Sequence, residues 1–462
     1  MTVVDPPFEA GVSALRRLGA RLARHGNLYE VVKSAAQVFA IRVVGAGLTY
    51  ASTILLARWL GAFDFGIYAY VLVIITLLGM ALSFGFSSAG LRLVPDYLGR
   101  KRWRRLTGFL IQSYVTIIVL SAIGAVLGAA LVMALRGVIA PYYFAPLLVG
   151  LLCVPIWTLL NQGEAMARAF GWVNLAYVPG YIARPLLLIV FVGGLAIVGH
   201  HPNATVALWA MIGACGIAAA GQGVLVLAGI RRRVGKVAGS FHTRYWVLTS
   251  LSFLMIDGFR LLLDNTDVLM IGRLLDPHSV AIYFAAIRTA GLVAFVSFAM
   301  IALAVPKFAE INATGTREEL QAFVSGVLKM MFWPSLATAI ALAALGPFVL
   351  SLFGTGFEAG YPTMLIVLTG LVLRAASGPV EYLLNMTGHQ RDTLRVYACA
   401  AVGTVVLDAL LIPTLVIIGA AIGTYTAMLS GNLWLYFLVK KRLGVHAFIF
   451  RLPGRRATEP VA

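Results

Sequence analysis

What most constrains this chain is the recurrence, from residue 33 to residue 440, of apolar stretches each long enough to cross a lipid bilayer. A span needs about 20 mainly apolar residues. With 60% hydrophobic and 12% charged residues over 462 positions, the chain has too little polar surface to face water, since a soluble domain carries about 25% charged residues. The pattern predicts an all-α, polytopic membrane protein of about twelve transmembrane helices: 33–57, 65–91, 108–134, 145–168, 175–199, 204–230, 247–271, 280–305, 321–345, 362–386, 394–416 and 418–439. Short connections suit this reading, because hydrocarbon forces backbone polarity to be satisfied inside helices. No soluble domain fits between the spans.

Basic residues orient the array by the positive-inside rule. With both termini in the cytoplasm, Arg100-Lys101-Arg102, Arg104-Arg105, Arg231-Arg232-Arg233 and Lys440-Lys441-Arg442 all fall on one side, and only Arg58, Arg136 and Arg273 face outward. The net charge of +18 is therefore mostly topology. Basic runs scattered over membrane loops, with no binding fold attached, argue against a nucleic-acid partner. Residues 1–32 lack the apolar core of a cleavable signal and read as a cytoplasmic tail; Leu15, Leu18 and Leu22 lie opposite Arg16, Arg17, Arg21 and Arg24, as on an amphipathic helix at an anionic leaflet or in a disordered tail. Cys153, Cys215 and Cys399 suggest neither a disulfide framework nor a metal site and read as small core residues. No phosphate-binding G-x-x-x-x-G-K-[ST] loop is present, which argues against ATP hydrolysis.

The chain repeats itself. Arg58-Trp59-Leu60 followed by Ile67-Tyr68 returns 215 residues later as Arg273-Leu274-Leu275 and Ile282-Tyr283. Val94-Pro95 returns as Val305-Pro306, and Glu164 with Gly171 returns as Glu381 with Gly388. Units of six helices share one orientation, so the two copies form lobes related by a pseudo-twofold axis along the membrane normal. The expected domains are the tail 1–32, an N-lobe 33–230, a cytoplasmic linker 231–246, a C-lobe 247–440 and a cytoplasmic tail 441–462.

Eleven charged residues fall within the expected spans: Arg42, Arg184, Arg260, Arg288, Arg374, Glu164, Asp257, Asp264, Asp267, Glu381 and Asp408. Facing lipid, they would cost on the order of 30 kcal/mol at about 2.5–3.5 kcal/mol each. They must face a cavity, one another or the interface. In helix 7, Asp257, Arg260, Asp264 and Asp267 lie within an arc of about 80°, a polar stripe in which Arg260 can pair with both Asp257 and Asp264. It reads either as the wall of a wet lumen or cation site, or as a neutralised ion network. Arg42, Arg184 and Arg288 have few evident partners in their own helices and suit a phosphate-bearing cargo, because guanidinium binds phosphate bidentately; the alternative is snorkelling or pairing with acids on neighbouring helices. Glu164 with Arg168, and Glu381 in the corresponding place, read as a structural latch near the inner end. Pro155, Pro179, Pro185, Pro334 and Pro379 are expected to kink their helices.

Ala57-Arg58-Trp59-Leu60-Gly61, Phe65-Gly66-Ile67-Tyr68, Phe84-Gly85 with Arg92, and the late Gly419-Ala420-Ala421-Ile422-Gly423-Thr424 resemble the Wzx-type polysaccharide flippases of the multidrug/oligosaccharidyl-lipid/polysaccharide (MOP) superfamily. The resemblance covers essentially all the spans. It implies a V-shaped bundle of two lobes that moves a polyprenyl-pyrophosphate-linked oligosaccharide across the bacterial inner membrane by alternating access, not an enzyme. It further implies a headgroup cavity at Arg42, Arg184, Arg260, Arg288 and Arg374, an outer gate at Arg58 and Arg273, and coupling to a sodium or proton gradient, for which Asp257, Asp264 and Asp408 are the candidate acids. No cofactor is expected; membrane lipids and other polysaccharide-synthesis membrane proteins are the remaining partners.

Two relatives in that superfamily compete: a cation-coupled multidrug antiporter and a lipid II flippase. The former is expected to carry acids in its first lobe; helix 1 of this chain has none and carries Arg42 instead. A different class is a non-transporting membrane subunit of a polysaccharide-synthesis complex. A polymerase or glycosyltransferase is disfavoured for want of a large outer loop or a nucleotide-sugar domain.

Overall fold

The computed structural model describes residues 28–449, except 200, 236, 388 and most of 295–315. The amphipathic segment 1–27, the Val305-Pro306 repeat and residues 451–462 lie outside the described residues. All described elements are helical, and among the described residues nine helices are long and apolar enough to cross a membrane; the end of the bundle that carries the basic loops is called inner and the opposite end outer.

Two of those nine are double rods. Leu28–Leu82 is broken at Gly61 (φ 76°, ψ 166°), a left-handed φ that glycine adopts without the Cβ penalty. Its arms, α1 (28–60) and α2 (62–82), run antiparallel: Gly45 abuts Tyr181 and Trp59 abuts Gly193 on the way out, whereas Gly79 abuts Trp157 on the way back. After a turn at 83–85, α2 continues as Phe86–Gly99. Helices α3 (Trp103–Ala134), α4 (Pro141–Ala169), α5 (Val173–Val178 through Arg184–Ile197) and α6 (Ala204–Val234) complete the first half.

The second half repeats the plan with α7 (Thr243–Leu263 and Thr266–Leu274), α8 (from Pro277–Ala290), α9 (Arg317–Ser351) and α10 (Tyr361–Ser377 and Val380–Met386). Gln390–Leu443 is the other double rod, broken at Val416 (φ 52°) into α11 (390–415) and α12 (417–443). Its arms fold together so that Gly431 abuts Ala400, Gly423 abuts Asp408 and Gly419 abuts Leu411. The matching outer corners are built differently: Gly61 turns the first, whereas Asp276 caps the second by accepting from the Ser279 amide at 2.8 Å, with Pro277 opening α8.

Helix α2 is the spine between the halves. Towards the outer end it packs on α8, where Gly66 sits so close to the Pro277 carbonyl that a Cβ would lie 1.7 Å from the oxygen. Phe65 packs edge-on to Phe284 and Phe357 there, and the Tyr50 hydroxyl of α1 bonds Thr289 of α8 at 2.8 Å. Towards the inner, basic-loop end, α2 turns to α7: Ser88 donates to Asp257 at 2.6 Å, and buried Trp246 donates to the Tyr97 hydroxyl at 2.9 Å. Trp246 lies in one core cluster with Phe86, Phe109 and Met166 of the first half. Both pieces of α7 also pack on the α11–α12 hairpin, so the inner piece is shared between the halves.

Because Gly66 has no room for a side chain, Gly66→Val is expected to cost the sealed outer end about 1–3 kcal/mol of overpacking. A Thr53→Cys reporter, in a background with Cys399 replaced by Ser, should then react with an outside maleimide about tenfold faster.

The expected kinks divide into two groups. Pro155 and Pro334 lie inside unbroken helices. Pro179 opens a π turn, Pro179–Ala183, ahead of Pro185, and Pro379 follows a break at Gly378 (φ 63°). Cys153 and Cys215 are buried as expected, but Cys399 is exposed on α11.

Candidate functional site

The three broken helices aim at one region. The π turn of α5 carries Tyr181 and precedes Arg184, the break of α7 carries Asp264 and Asn265, and the break of α10 carries Gly378 just before Glu381. Such interruptions free backbone groups and are tolerated at membrane depth where they line a cavity. Two cavities lie there. One, of about 370 Å³, is walled by Tyr50 and Thr53 of α1, Glu164 of α4, Tyr181 and Arg184 of α5, and Arg288 of α8. The other, of about 550 Å³, is walled by Arg260, Asp264, Arg288, Arg374, Glu381 and Tyr425, among others. Ile287 and Arg288 belong to both walls, so the two spaces meet at α8.

Four of the five expected cavity arginines therefore come together. Arg184 lies 4.7 Å from the Trp157 ring centre and Arg288 lies 4.6 Å from that of Phe284. Arg42 is not in either wall; it lies 4.8 Å from Tyr177 and 5.7 Å from Tyr181, behind the smaller cavity. Stacking on an aromatic face stabilises a guanidinium through the ring quadrupole and leaves its in-plane N–H edge for an acceptor. Arg374 approaches the Met428 sulfur at 3.7 Å.

The lining is not the cationic surface that the arginines alone suggested. Arg260, Arg288 and Arg374 share the larger cavity with Asp264, Asp267 and Glu381, a formal balance of three against three. Guanidinium groups in a low-dielectric space are tolerable only near counter-charges, which helices α7 and α10 supply. Glu164, read as part of an inner latch, keeps its partner Arg168 at 3.7 Å and also lines the smaller cavity. Glu381 lines the larger one.

The continuous helix 7 stripe is not formed. The helix breaks at Asp264 (ψ −8°) and Asn265 (φ −142°), so the angular relation of 100° per residue does not carry across to Asp267. Arg260 lies 4.0 Å from Asp264 with both side chains about half exposed, 50% and 51%. Asp257 is turned to Ser88 of the other half instead of to Arg260. Asp267 is 3% exposed; it accepts from the Tyr283 hydroxyl and from the Val268 amide at 2.8 Å. Removing that hydroxyl leaves a buried carboxylate short of a donor, so Tyr283→Phe is expected to destabilise the fold by about 1–3 kcal/mol, read as a lower Tm in detergent.

The corner arginines differ in their surroundings. Arg58 Nε donates to the Leu352 carbonyl at 2.6 Å; that carbonyl ends α9, where helix oxygens lack intrahelical partners. The contact joins the halves at their outer end. Arg273 is exposed, with no ion pair or hydrogen bond to described residues.

Asp408 in α11 is 0% exposed, and neither of its carboxylate oxygens has a hydrogen-bond partner among the described residues. Helix α12 covers it: a Cβ on Gly423 would lie 2.3 Å from Asp408 Oδ1. The neighbouring Thr424 hydroxyl is likewise buried and unpartnered, and Thr424 lines the larger cavity. Among the described residues no group of three or more His, Cys, Asp or Glu is placed to hold a metal ion.

Reasoning from sequence missed the aromatic supports. Phe284 precedes Arg288 by one helical turn, a spacing that pairs side chains, so that partner was legible. Trp157 and Arg184 sit on different helices, and nothing in the sequence couples them.

The family of proteins described as polysaccharide biosynthesis protein matches residues 31–312, more than half of the chain, and the protein belongs to that family. No curated protein matches the sequence. Solved structures do. An inward-facing multidrug resistance transporter of the MATE family, in the MOP superfamily, matches with TM-score 0.67 and 17% identity over 88% of this chain and 95% of that one. The lipid II flippase MurJ in an inward closed conformation matches with TM-score 0.68 and 15% identity over 87% of each. A MOP transporter from Pyrococcus furiosus, described as having a binding pocket of reversed polarity, matches with TM-score 0.60 and 16% identity over 89% and 96%. The fold is that of these MOP superfamily transporters.

Proposed function

We propose that the protein is a flippase for a polyprenyl-pyrophosphate-linked oligosaccharide, moved from the inner to the outer leaflet of a bacterial inner membrane by alternating access of the two halves. The observation that carries this reading is the pair of cavities, one chiefly in each half, that share Arg288 of α8 as a wall and are lined by Arg184, Arg260, Arg288 and Arg374. Arg184 and Arg288 each lie over an aromatic ring, a contact that does not consume their N–H donors, which suit the paired oxygens of a pyrophosphate. Asp264, Glu164 and Glu381 hold the guanidiniums while no cargo is present, and the incoming headgroup exchanges with them. Sugars find hydrogen-bonding groups in the same walls, while the prenyl chain remains in lipid.

Coupling falls to Asp408. A buried carboxylate beside an unpartnered hydroxyl suits uptake of a sodium ion or a proton, either of which removes the penalty of an uncompensated charge. Asp257 and Asp264, the other candidate acids, are engaged with Ser88 and Arg260. Arg58 acts as the outer lock.

The test is transport by the purified chain in sealed vesicles, comparing a labelled polyprenyl-pyrophosphate oligosaccharide, lipid II and a cationic dye. Movement of the first alone supports the reading. Export of the dye in exchange for cations, with the lipid cargo immobile, identifies an antiporter and overturns it.

A further inference from the structure

Outside the central cavities, the inner corner of the molecule holds a third space of about 600 Å³, lined by Arg92, Arg100, Arg102, Arg105, Asp96 and His242, among others. It lies where the end of α2, the start of α3 and the entry to α7 converge. Four guanidiniums face it against one carboxylate, and that carboxylate is taken: Arg100 Nε lies 2.7 Å from Asp96 Oδ1. Arg92, Arg102 and Arg105 have no ion pair or hydrogen bond to described side chains. A basic loop that served topology alone would spread its charges into water, since like charges repel; here they converge.

The frame is fixed. Lys101 takes a left-handed turn (φ 54°), and the Arg102 amide donates back to the Tyr97 carbonyl at 2.8 Å. The Ser240 amide donates to the Arg104 carbonyl at 2.8 Å, Thr243 donates to Gln112 at 3.0 Å, and buried Trp246 bonds Tyr97 below. These bonds hold the α2–α3 turn and the α7 entry together without using the arginine side chains.

The same helices leave apolar faces uncovered at the adjoining depth, where Phe109 of α3 meets Trp246 of α7 with ring centres 5.5 Å apart. Ile111, Val115 and Ile118 of α3, and Leu248 and Met255 of α7, are exposed. A ligand that satisfies both surroundings carries phosphate at one end and hydrocarbon at the other. Basic pockets at the membrane border are suited to anionic headgroups.

We infer that this corner is a binding site for an anionic phospholipid of the adjacent leaflet, separate from the transport cavity: the phosphate sits among Arg92, Arg102 and Arg105, and the acyl chains lie along α3 and α7. The lipid thereby bridges the two halves at the end of their linker.

The test is anisotropy of fluorescent phosphatidylglycerol binding to the full chain in neutral detergent, with fluorescent phosphatidylcholine as the comparison. Phosphatidylglycerol should bind and phosphatidylcholine should not. Replacing Arg92, Arg102 and Arg105 together by Gln should weaken binding about a hundredfold, at about 1 kcal/mol per arginine and 1.4 kcal/mol per tenfold. The corresponding triple Lys variant should retain binding, which separates lost charge from lost fold. Arg104→Gln with Arg244→Gln, basic residues outside the pocket, should leave affinity near the parent value. An equal loss in that control, or no loss in the triple Gln variant, overturns the site. Displacement of the lipid by millimolar inorganic pyrophosphate alone overturns the lipid assignment in favour of a soluble phosphate.

Discussion

Arg288→Ala should lower the flipping rate about a hundredfold at limiting cargo. Arg288 is the one charged residue in the walls of both cavities, so any headgroup passing between them meets it. A bidentate contact with pyrophosphate comprises two charge-assisted hydrogen bonds, each contributing about 1.5–3 kcal/mol, and losing about 3 kcal/mol of that sum is about a hundredfold. Its support by Phe284 lies within the same helix, so truncation should leave the fold intact, and an unchanged gel-filtration profile checks this. Arg288→Lys keeps the charge but loses the planar fork, and should recover only part of the rate. Vesicles in which Arg288→Ala flips the labelled lipid at the parent rate would show that the arginine is structural and would remove the basis of the cargo assignment.

Asp408→Asn should abolish gradient dependence while leaving downhill equilibration. With the membrane potential clamped to zero, a tenfold inward gradient of a singly coupled ion is worth about 1.4 kcal/mol, or about tenfold in the cargo ratio between leaflets. The parent should build that asymmetry under either a sodium or a proton gradient, whichever couples, and the variant should reach a ratio near one under both. The amide is close to isosteric and replaces a buried carboxylate with no hydrogen-bond partner among the described residues, so the variant should also melt no lower than the parent. A lower Tm with gradient-driven transport intact would make Asp408 a packing residue and move coupling elsewhere.

Much of the architecture was legible because it depends on length and local pattern. Apolar stretches of bilayer length became rods, and the repeated Arg-Trp-Leu and Arg-Leu-Leu segments became the outer ends of α1 and α7. The convergence of Arg184, Arg260, Arg288 and Arg374 followed from the same reasoning, since charge at membrane depth needs a wet space. The acids within the larger cavity were visible singly, yet their balance against the arginines depends on helices far apart in sequence. The helix 7 stripe failed because a wheel projection presumes an unbroken helix, and no proline or glycine marks the Asp264-Asn265 break. The isolation of Asp408 is a tertiary fact: it has no hydrogen-bond partner among the described residues, and Gly423 lets α12 close over it. Arg92, Arg102 and Arg105 were legible as topology signals, and only the turn at Lys101 gathers them around one space.

The indole of Trp246 offers a natural experiment in reassembly. It begins the second half of the sequence yet is seated in a socket of the first, beside Phe109 and Tyr97. Cut the polypeptide ahead of His242, and the downstream fragment keeps its own plug. Two separately inserted pieces would then recognise each other through that aromatic key as well as the α2–α8 seam, so a split gene should still yield a paired bundle, whereas a cut placed after Trp246 should pair less tightly, through the seam alone.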